Sequence, residues 1–222
     1  MLFSLIVYSP PPQASLNIAF EDEYLLILNK PSGLLSVPGR GEEKQDCLIS
    51  RVQSKYPEAR IVHRLDMSTS GLIIVALGKE MERSLSKLFQ NRQVKKHYIA
   101  IVAGKMPSNF GEINLPLITD WPNRPKQKID FTDGKASCTF YQLLSFNSQE
   151  NSSRLKLTPL TGRTHQLRIH MQSTGHAILG DELYAKECEI NKAERLLLHA
   201  SFLSFIHPIS NELIEITSNP DF

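Results

Sequence analysis

The sequence predicts an α+β fold: a single domain on a mixed, mainly antiparallel sheet flanked by helices and loops. Three observations lead there. Runs rich in β-branched and aromatic residues outnumber helical patterns and do not alternate with them regularly, unlike a doubly wound parallel sheet. Turn-forming clusters such as Lys30–Pro31–Ser32–Gly33 and the polar stretch Ser145–Ser153 separate the runs. The chain has 222 residues, 41% hydrophobic and 22% charged. That is long enough for a sizeable core, too apolar for disorder, and no linker divides it.

Residues 1–17 read as an extended tail. Met1–Tyr8 is apolar but lacks a basic leader and soon meets Pro10–Pro11–Pro12, so it is too short for a secretory signal or a spanning helix. The folded domain is expected over 18–222. Ile18–Phe20 and Tyr24–Asn29 form a hairpin about Glu21–Asp22–Glu23. Lys79–Gln90 is a helix, because Met81, Leu85, Leu88 and Phe89 fall on one face. His97–Ala103, Ile113–Ile118, Ser137–Phe146 and Arg154–Thr158 follow as strands. Thr164–Thr174 reads as a helix closed by Gly175, and Leu196–His199, Phe202–Ile206 and Leu213–Thr217 as strands.

The formal charge is only +2, but its distribution is uneven. Lys79–Lys135 holds 11 Lys/Arg against 6 Asp/Glu, and Asp181–Phe222 holds 3 against 8. A local basic face is what phosphate contact needs, although a solvated surface gives the same count. Cys47, Cys138 and Cys188 are far apart and odd in number, which suggests neither a disulfide framework nor a zinc site and fits a reducing cytoplasm.

The densest chemistry lies in Ile61–Val62–His63–Arg64–Leu65–Asp66–Met67–Ser68–Thr69–Ser70–Gly71, between two apolar runs. Asp66 has two readings: a nucleophile or base in a dry pocket, or an Asx turn capping a hairpin, which local sequence alone favours. Arg163, at the Gly162 corner before the second helix, is placed to reach across a cleft and pair with such a carboxylate. His165, His170 and His176 lack metal-ligand spacing and are assigned structural roles. Tyr98, led by Lys95–Lys96–His97, is either core packing or a surface for a stacked base. Trp121, in Trp121–Pro122–Asn123–Arg124–Pro125–Lys126–Gln127–Lys128, is either an exposed RNA contact or a buried loop anchor.

Taken together, Asn29–Leu34, His63–Gly71, Lys96–Tyr98, Leu160–His170, Gly180–Tyr184 and Arg195–Ala200 resemble the successive motifs of the RluA-type pseudouridine synthases. The likeness covers nearly the whole chain. Ala185 is one departure, standing where many relatives carry Gly. Many relatives also begin with an S4 RNA-binding domain, for which 17 residues are too few. The resemblance implies a cofactor-free and metal-free isomerase acting on a flipped uridine. Asp66 would be the catalytic carboxylate, Tyr98 the ring that stacks on uracil and helps remove its C5 proton, and Arg163 the partner of Asp66. Arg64 would enter the RNA as the base leaves. His63, Lys95, Lys96, Trp121, Arg124, Lys126, Lys128 and Arg168 are the further RNA-contact candidates. Lys30–Arg40 and Asp120–Lys128 are similar to the branch acting on both a tRNA anticodon-loop uridine and a 23S rRNA uridine. A cytoplasmic monomer without membrane contact is expected. Two other classes compete: a non-catalytic RNA-binding module, and a glycosidase-like hydrolase, which would want a second carboxylate.

Overall fold

The computed structural model describes residues 8–12 and 15–222. The apolar start, Met1–Val7, lies outside them. Tyr8 is buried; its hydroxyl donates to the Asp46 carbonyl (2.9 Å) and accepts from the Leu35 amide (3.1 Å).

In chain order the elements are β1 (Ile18–Glu21), β2 (Leu25–Lys30), α1 (Leu48–Gln53), β3 (Ala59–Ile61), β4 (Ser70–Leu77), α2 (Lys79–Gln90), β5 (Lys95–Ala103) and β6 (Phe110–Asn114). They continue with β7 (Leu117–Thr119), β8 (Gln127–Ile129), β9 (Cys138–Asn147), β10 (Ser152–Pro159), α3 (Gln166–Ser173), α4 (Glu187–Ile190), β11 (Leu198–Ile206) and β12 (Leu213–Thr217). One sheet runs β1-β2-β4-β11-β5-β10-β9-β6, with β3 added to β4 and β12 to β11; β7 and β8 form a separate ribbon. The pairing of β4 with β11 is parallel and the other strand pairs are antiparallel, so the sheet is mixed and mainly antiparallel as the sequence predicts. Among the described residues no helix is long and apolar enough to cross a membrane.

The junction of β4 and β11 positions the site. Only His199↔Ser70 and Ala200↔Gly71 pair there. Gly71 has φ +110°, and a Cβ on it would overlap the Ala200 backbone, so glycine is required at this close approach. The chain reaches β4 directly from the Asp66 turn, which the junction therefore fixes against β11. Tyr98, in mid-β5, packs against two core clusters, one under β2, β4 and α1 and one under β5, β10 and α3.

Local chemistry explains where pattern and structure agree. Asp22 Oδ1 accepts from the amides of Tyr24 and Leu25 and closes the first hairpin. Helix α2 has the expected bounds, with Met81 and Leu85 buried. Gly175 follows α3 at φ +81°. Three departures also have causes. The single strand expected over Ile113–Ile118 divides into β6 and β7 around Pro116, which has no N–H for a ladder. The two strands expected over Leu196–Ile206 are one, β11, because an irregularity between Ala200 and Phe202 absorbs the break. Helix α3 starts at Gln166 rather than Thr164, since His165 sits in the left-handed region at φ +54°.

Candidate active site

Lys30 ends β2 and is fully buried. Its ammonium donates to the carbonyls of Pro31 (2.8 Å), Leu34 (2.7 Å) and Met67 (3.0 Å). The loop it shapes grips the Asp66 turn. Gly33 N–H donates to Met67 O, Ser32 Oγ donates to Ser68 O, and Ser36 Oγ donates to Leu65 O while accepting from Leu65 N–H. Thr69 N–H donates to Asp66 O and closes the turn itself (3.1 Å). The backbone around Asp66 is thus clamped by four donors, two of them on the buried Lys30 and Ser36, and its side chain is left to project into a cleft of about 1850 Å³.

That carboxylate accepts no hydrogen bond among the described residues. Its nearest cation is Arg168, Nη1 to Oδ2 at 3.8 Å, and His165 Nε2 lies 4.0 Å from Oδ1. Arg168 is itself buried and locked bidentate onto Asp181, at 2.8 and 2.6 Å. Two expectations are corrected here. Arg163 does not pair with Asp66: its side chain is exposed, with Nε directed at the Ala136 carbonyl (3.4 Å). The left-handed turn at His165 starts α3 so that Arg168, one helical turn inside, faces Asp66 instead. For the same reason Arg168 is an internal partner of two carboxylates rather than an RNA contact at the surface.

Tyr98 is half-buried on the cleft wall. Burial, with Asp66 nearby, pushes its phenol well above the ordinary range, so the group is neutral and offers its ring. His63 is also corrected. Its Nε2 accepts from Ile74 N–H (2.9 Å) and its ring packs against Phe89, centroids 4.4 Å apart. Burial and the nearby Lys96 push it down to about 3, so it is a neutral clamp between the turn and β4. Arg64, by contrast, is exposed on the cleft and has no ion-pair partner among the described residues.

The cleft rim is cationic. Lys95 is exposed, and burial lowers the Lys96 ammonium, which sits over the Phe89 ring. The 121–128 loop contributes Arg124 and Lys126 to the lining. Trp121 is 67% exposed, so it is not a buried anchor, and Arg124 lies over its ring at 4.6 Å. Lys128 is spent on Asp130 (3.2 Å) and does not line the cleft. Of the other histidines, His170 is bonded to Thr139, Ser137 and the Leu115 carbonyl, and His176 to the Ala103 carbonyl.

Three residues at the site escaped the sequence reading, Lys30, Asp181 and Tyr184, and His165, given a structural role there, faces Asp66. All lie in motifs that it singled out, but burial and hydrogen bonding, which decide their roles, are set by tertiary packing. The Tyr184 hydroxyl takes Gln127 N–H (2.8 Å) and meets His165 Nδ1 (2.7 Å), while its ring lies under the Arg168 guanidinium. Burial pushes its phenol up to about 12.

A carboxylate beside a buried arginine and a neutral aromatic ring, in a cationic cleft roomy enough for a nucleotide, is suited to acid–base or nucleophilic chemistry on a nucleotide substrate. Comparisons with known proteins make the class definite. The family model described as RNA pseudouridylate synthase matches residues 24–173. The chain is 51% identical to the dual-specificity RNA pseudouridine synthase RluA of Vibrio parahaemolyticus, over 99% of this chain and 89% of that protein. It is 47% identical to the protein of that name from Escherichia coli K12, over 97% of this chain and 98% of that one. Among solved structures, human RNA pseudouridylate synthase domain containing 1 aligns at TM-score 0.78 and 29% identity, covering 96% of this chain and 87% of that one. The chain belongs to the RNA pseudouridylate synthase family and is an isomerase that converts uridine in RNA to pseudouridine.

Proposed function

We propose that this enzyme modifies a uridine in a tRNA anticodon stem-loop and another in 23S rRNA, with Asp66 as the catalytic carboxylate. One observation carries the reading. Asp66 projects without hydrogen-bond donors into a cleft whose rim bears Arg64, Arg92, Lys95, Lys96, Arg124, Lys126 and Arg163, none ion-paired among the described residues. Glu182 and Glu194 also line the cleft, but these seven unpaired cations outnumber its carboxylates, which suits a polyanion that delivers a neutral base. The dual substrate range is supported by relatives at about half identity whose names state dual specificity. Action on tRNA and ribosomal RNA suits the cytoplasm.

The reaction breaks N1–C1′, turns the uracil, and forms C5–C1′; C5 loses a proton and N1 gains one, with no net redox change. Asp66 attacks the sugar or the base, or takes a sugar proton to form a glycal. In each case Arg168 sustains its charge at 3.8 Å. Tyr98 provides the face on which the detached base is held. Its raised phenol makes a free-enzyme phenolate costly, which favours stacking over proton removal. Holding the fragments together can lower the barrier by roughly 7–11 kcal/mol in favourable cases. Arg64, exposed and unpaired, is placed to fill the space the uridine leaves. The test is tritium release from C5-labelled tRNA and 23S rRNA transcripts, with carbodiimide mapping of the product. The parent should release tritium from both, and Asp66→Asn from neither while still binding. Turnover by Asp66→Asn, or a silent parent, would overturn the assignment.

A further inference from the structure

We infer that Tyr184 and His165 form a tether that carries engagement of the 121–128 loop to Asp66, making both positioning residues for the reaction; this rests on the assignment of Asp66 above. The chain of contacts is continuous. Lys126 N–H and Asp120 N–H close the loop onto Asn123 O and Lys126 O, and the next amide, Gln127 N–H, donates to the Tyr184 oxygen at 2.8 Å. Tyr184 meets His165 Nδ1 at 2.7 Å. His165 Nε2 faces Asp66 Oδ1 at 4.0 Å.

Hydrogen-bond counting gives the tether a direction. The Tyr184 oxygen already accepts from Gln127, so its own proton is free to donate to Nδ1. Burial holds His165 below its ordinary value, against the pull of Asp66, so the ring is neutral. A neutral ring that accepts at Nδ1 carries its proton on Nε2, pointed at the carboxylate. Every donor is then used once except Nε2–H, which falls short of Asp66 by about 1 Å of ordinary hydrogen-bond distance. Arg168 Nη1 at 3.8 Å is short by a similar amount, and the Arg168 guanidinium lies over the Tyr184 ring. A small shift of β8 toward the cleft would move Tyr184, and with it the His165 ring, onto Asp66, while Arg168 stays held by Asp181. The left-handed backbone at His165 lets its ring face back past the start of α3. The strand that ends this path, β8, belongs to the two-stranded ribbon and has no hydrogen-bonded place in the main sheet, so its position is not fixed by that ladder.

The experiment is steady-state tritium release from a C5-labelled tRNA anticodon stem-loop, with RNA binding followed by filter retention of the stem-loop, a readout that survives replacement of Trp121, the one tryptophan in the chain. Tyr184→Phe keeps the ring over Arg168 and removes only the hydroxyl. It should lower kcat about 10-fold with KM and RNA affinity within twofold, less than the ~10²-fold that a full 1 Å misplacement at a reacting centre can cost. His165→Asn retains a residue that tolerates the left-handed backbone but lacks the reach. It should lower kcat to a similar extent, and the double variant should be no worse than either single one. Replacing both Trp121 and Arg124 with Ala should raise KM and lower kcat about 5-fold in the parent, but only raise KM in Tyr184→Phe. An unchanged kcat in Tyr184→Phe, or additive losses in the double variant, would overturn the tether. The parent runs in the same assay, so loss of the Asp66 assignment would show separately, as turnover by Asp66→Asn.

Discussion

The Asp66 turn and the 121–128 loop face one cleft and are held in opposite ways. Around Asp66 the backbone is gripped by Lys30, Ser32, Gly33 and Ser36, and Gly71 admits no side chain against Ala200. The loop is exposed, braced by its own Asp120–Asn123 and Trp121–Arg124 contacts, and joined to the α3 start through Tyr184. A fixed carboxylate beside an adjustable basic loop separates chemistry from capture. One side sets the geometry of bond exchange, and the other can fit RNAs of different shape.

Removing the carboxylate's charge should produce the largest effect and the cleanest separation. Asp66→Asn should reduce tritium release by ~10⁴-fold with stem-loop affinity and thermal stability little changed. If binding fell in parallel with turnover, the two regions would not be separable. Next in size is Arg168→Gln, which leaves Asp181 buried without its partner. It should destabilise by roughly 3–5 kcal/mol in denaturant unfolding as well as remove activity. A soluble, stable Arg168→Gln would show the ion pair to be catalytic only.

Lys30 tests the fixed side by pH. Burial pushes its ammonium down to about 7, against the pull of Asp66. The unfolded chain therefore binds more protons than the folded one between pH 7 and about 10, and stability from this group rises with pH across that window. Compared with Lys30→Met, the parent should gain about 2 kcal/mol of unfolding free energy between pH 7 and pH 9. Parallel pH profiles for the two proteins would show that Lys30 keeps its proton through the carbonyl cage.

Much of this contrast was written in the chain, and the missing part has a common cause. Asp66, Tyr98 and Arg64 stand on the cleft because each lies in a motif whose spacing fixes it at a strand end, mid-strand or turn. Period and turn chemistry gave α2, the first hairpin and the class of the sheet. The error over Arg163 and Arg168 came from geometry that no pattern shows: one left-handed residue, His165, rotates α3 so that the inner arginine reaches Asp66. Short elements such as α1, β3 and β8 leave no sequence signature, because three to six residues carry too little periodicity. Lys30 reads as a strand terminator in sequence, and only the fold shows three carbonyls closing around it.

The smallest expected effect tests the adjustable side. Arg124 is exposed, lies over Trp121 and has no carboxylate partner among the described residues, so its loss removes one brace of the loop and no core contact. If it meets a phosphate, Arg124→Ala should raise KM about threefold and lower kcat less than twofold. It should also reduce the slope of log affinity against log salt by about 1, as one lost phosphate contact requires. Lys128→Ala is the matched control, since that ammonium is already engaged by Asp130 and lies off the cleft. Equal salt slopes for the two variants would mean that the loop attracts RNA by general charge. A lower slope for Arg124→Ala alone would place a phosphate at the loop's inner edge, where Arg124 and Lys126 line the cleft that Asp66 enters from the other side.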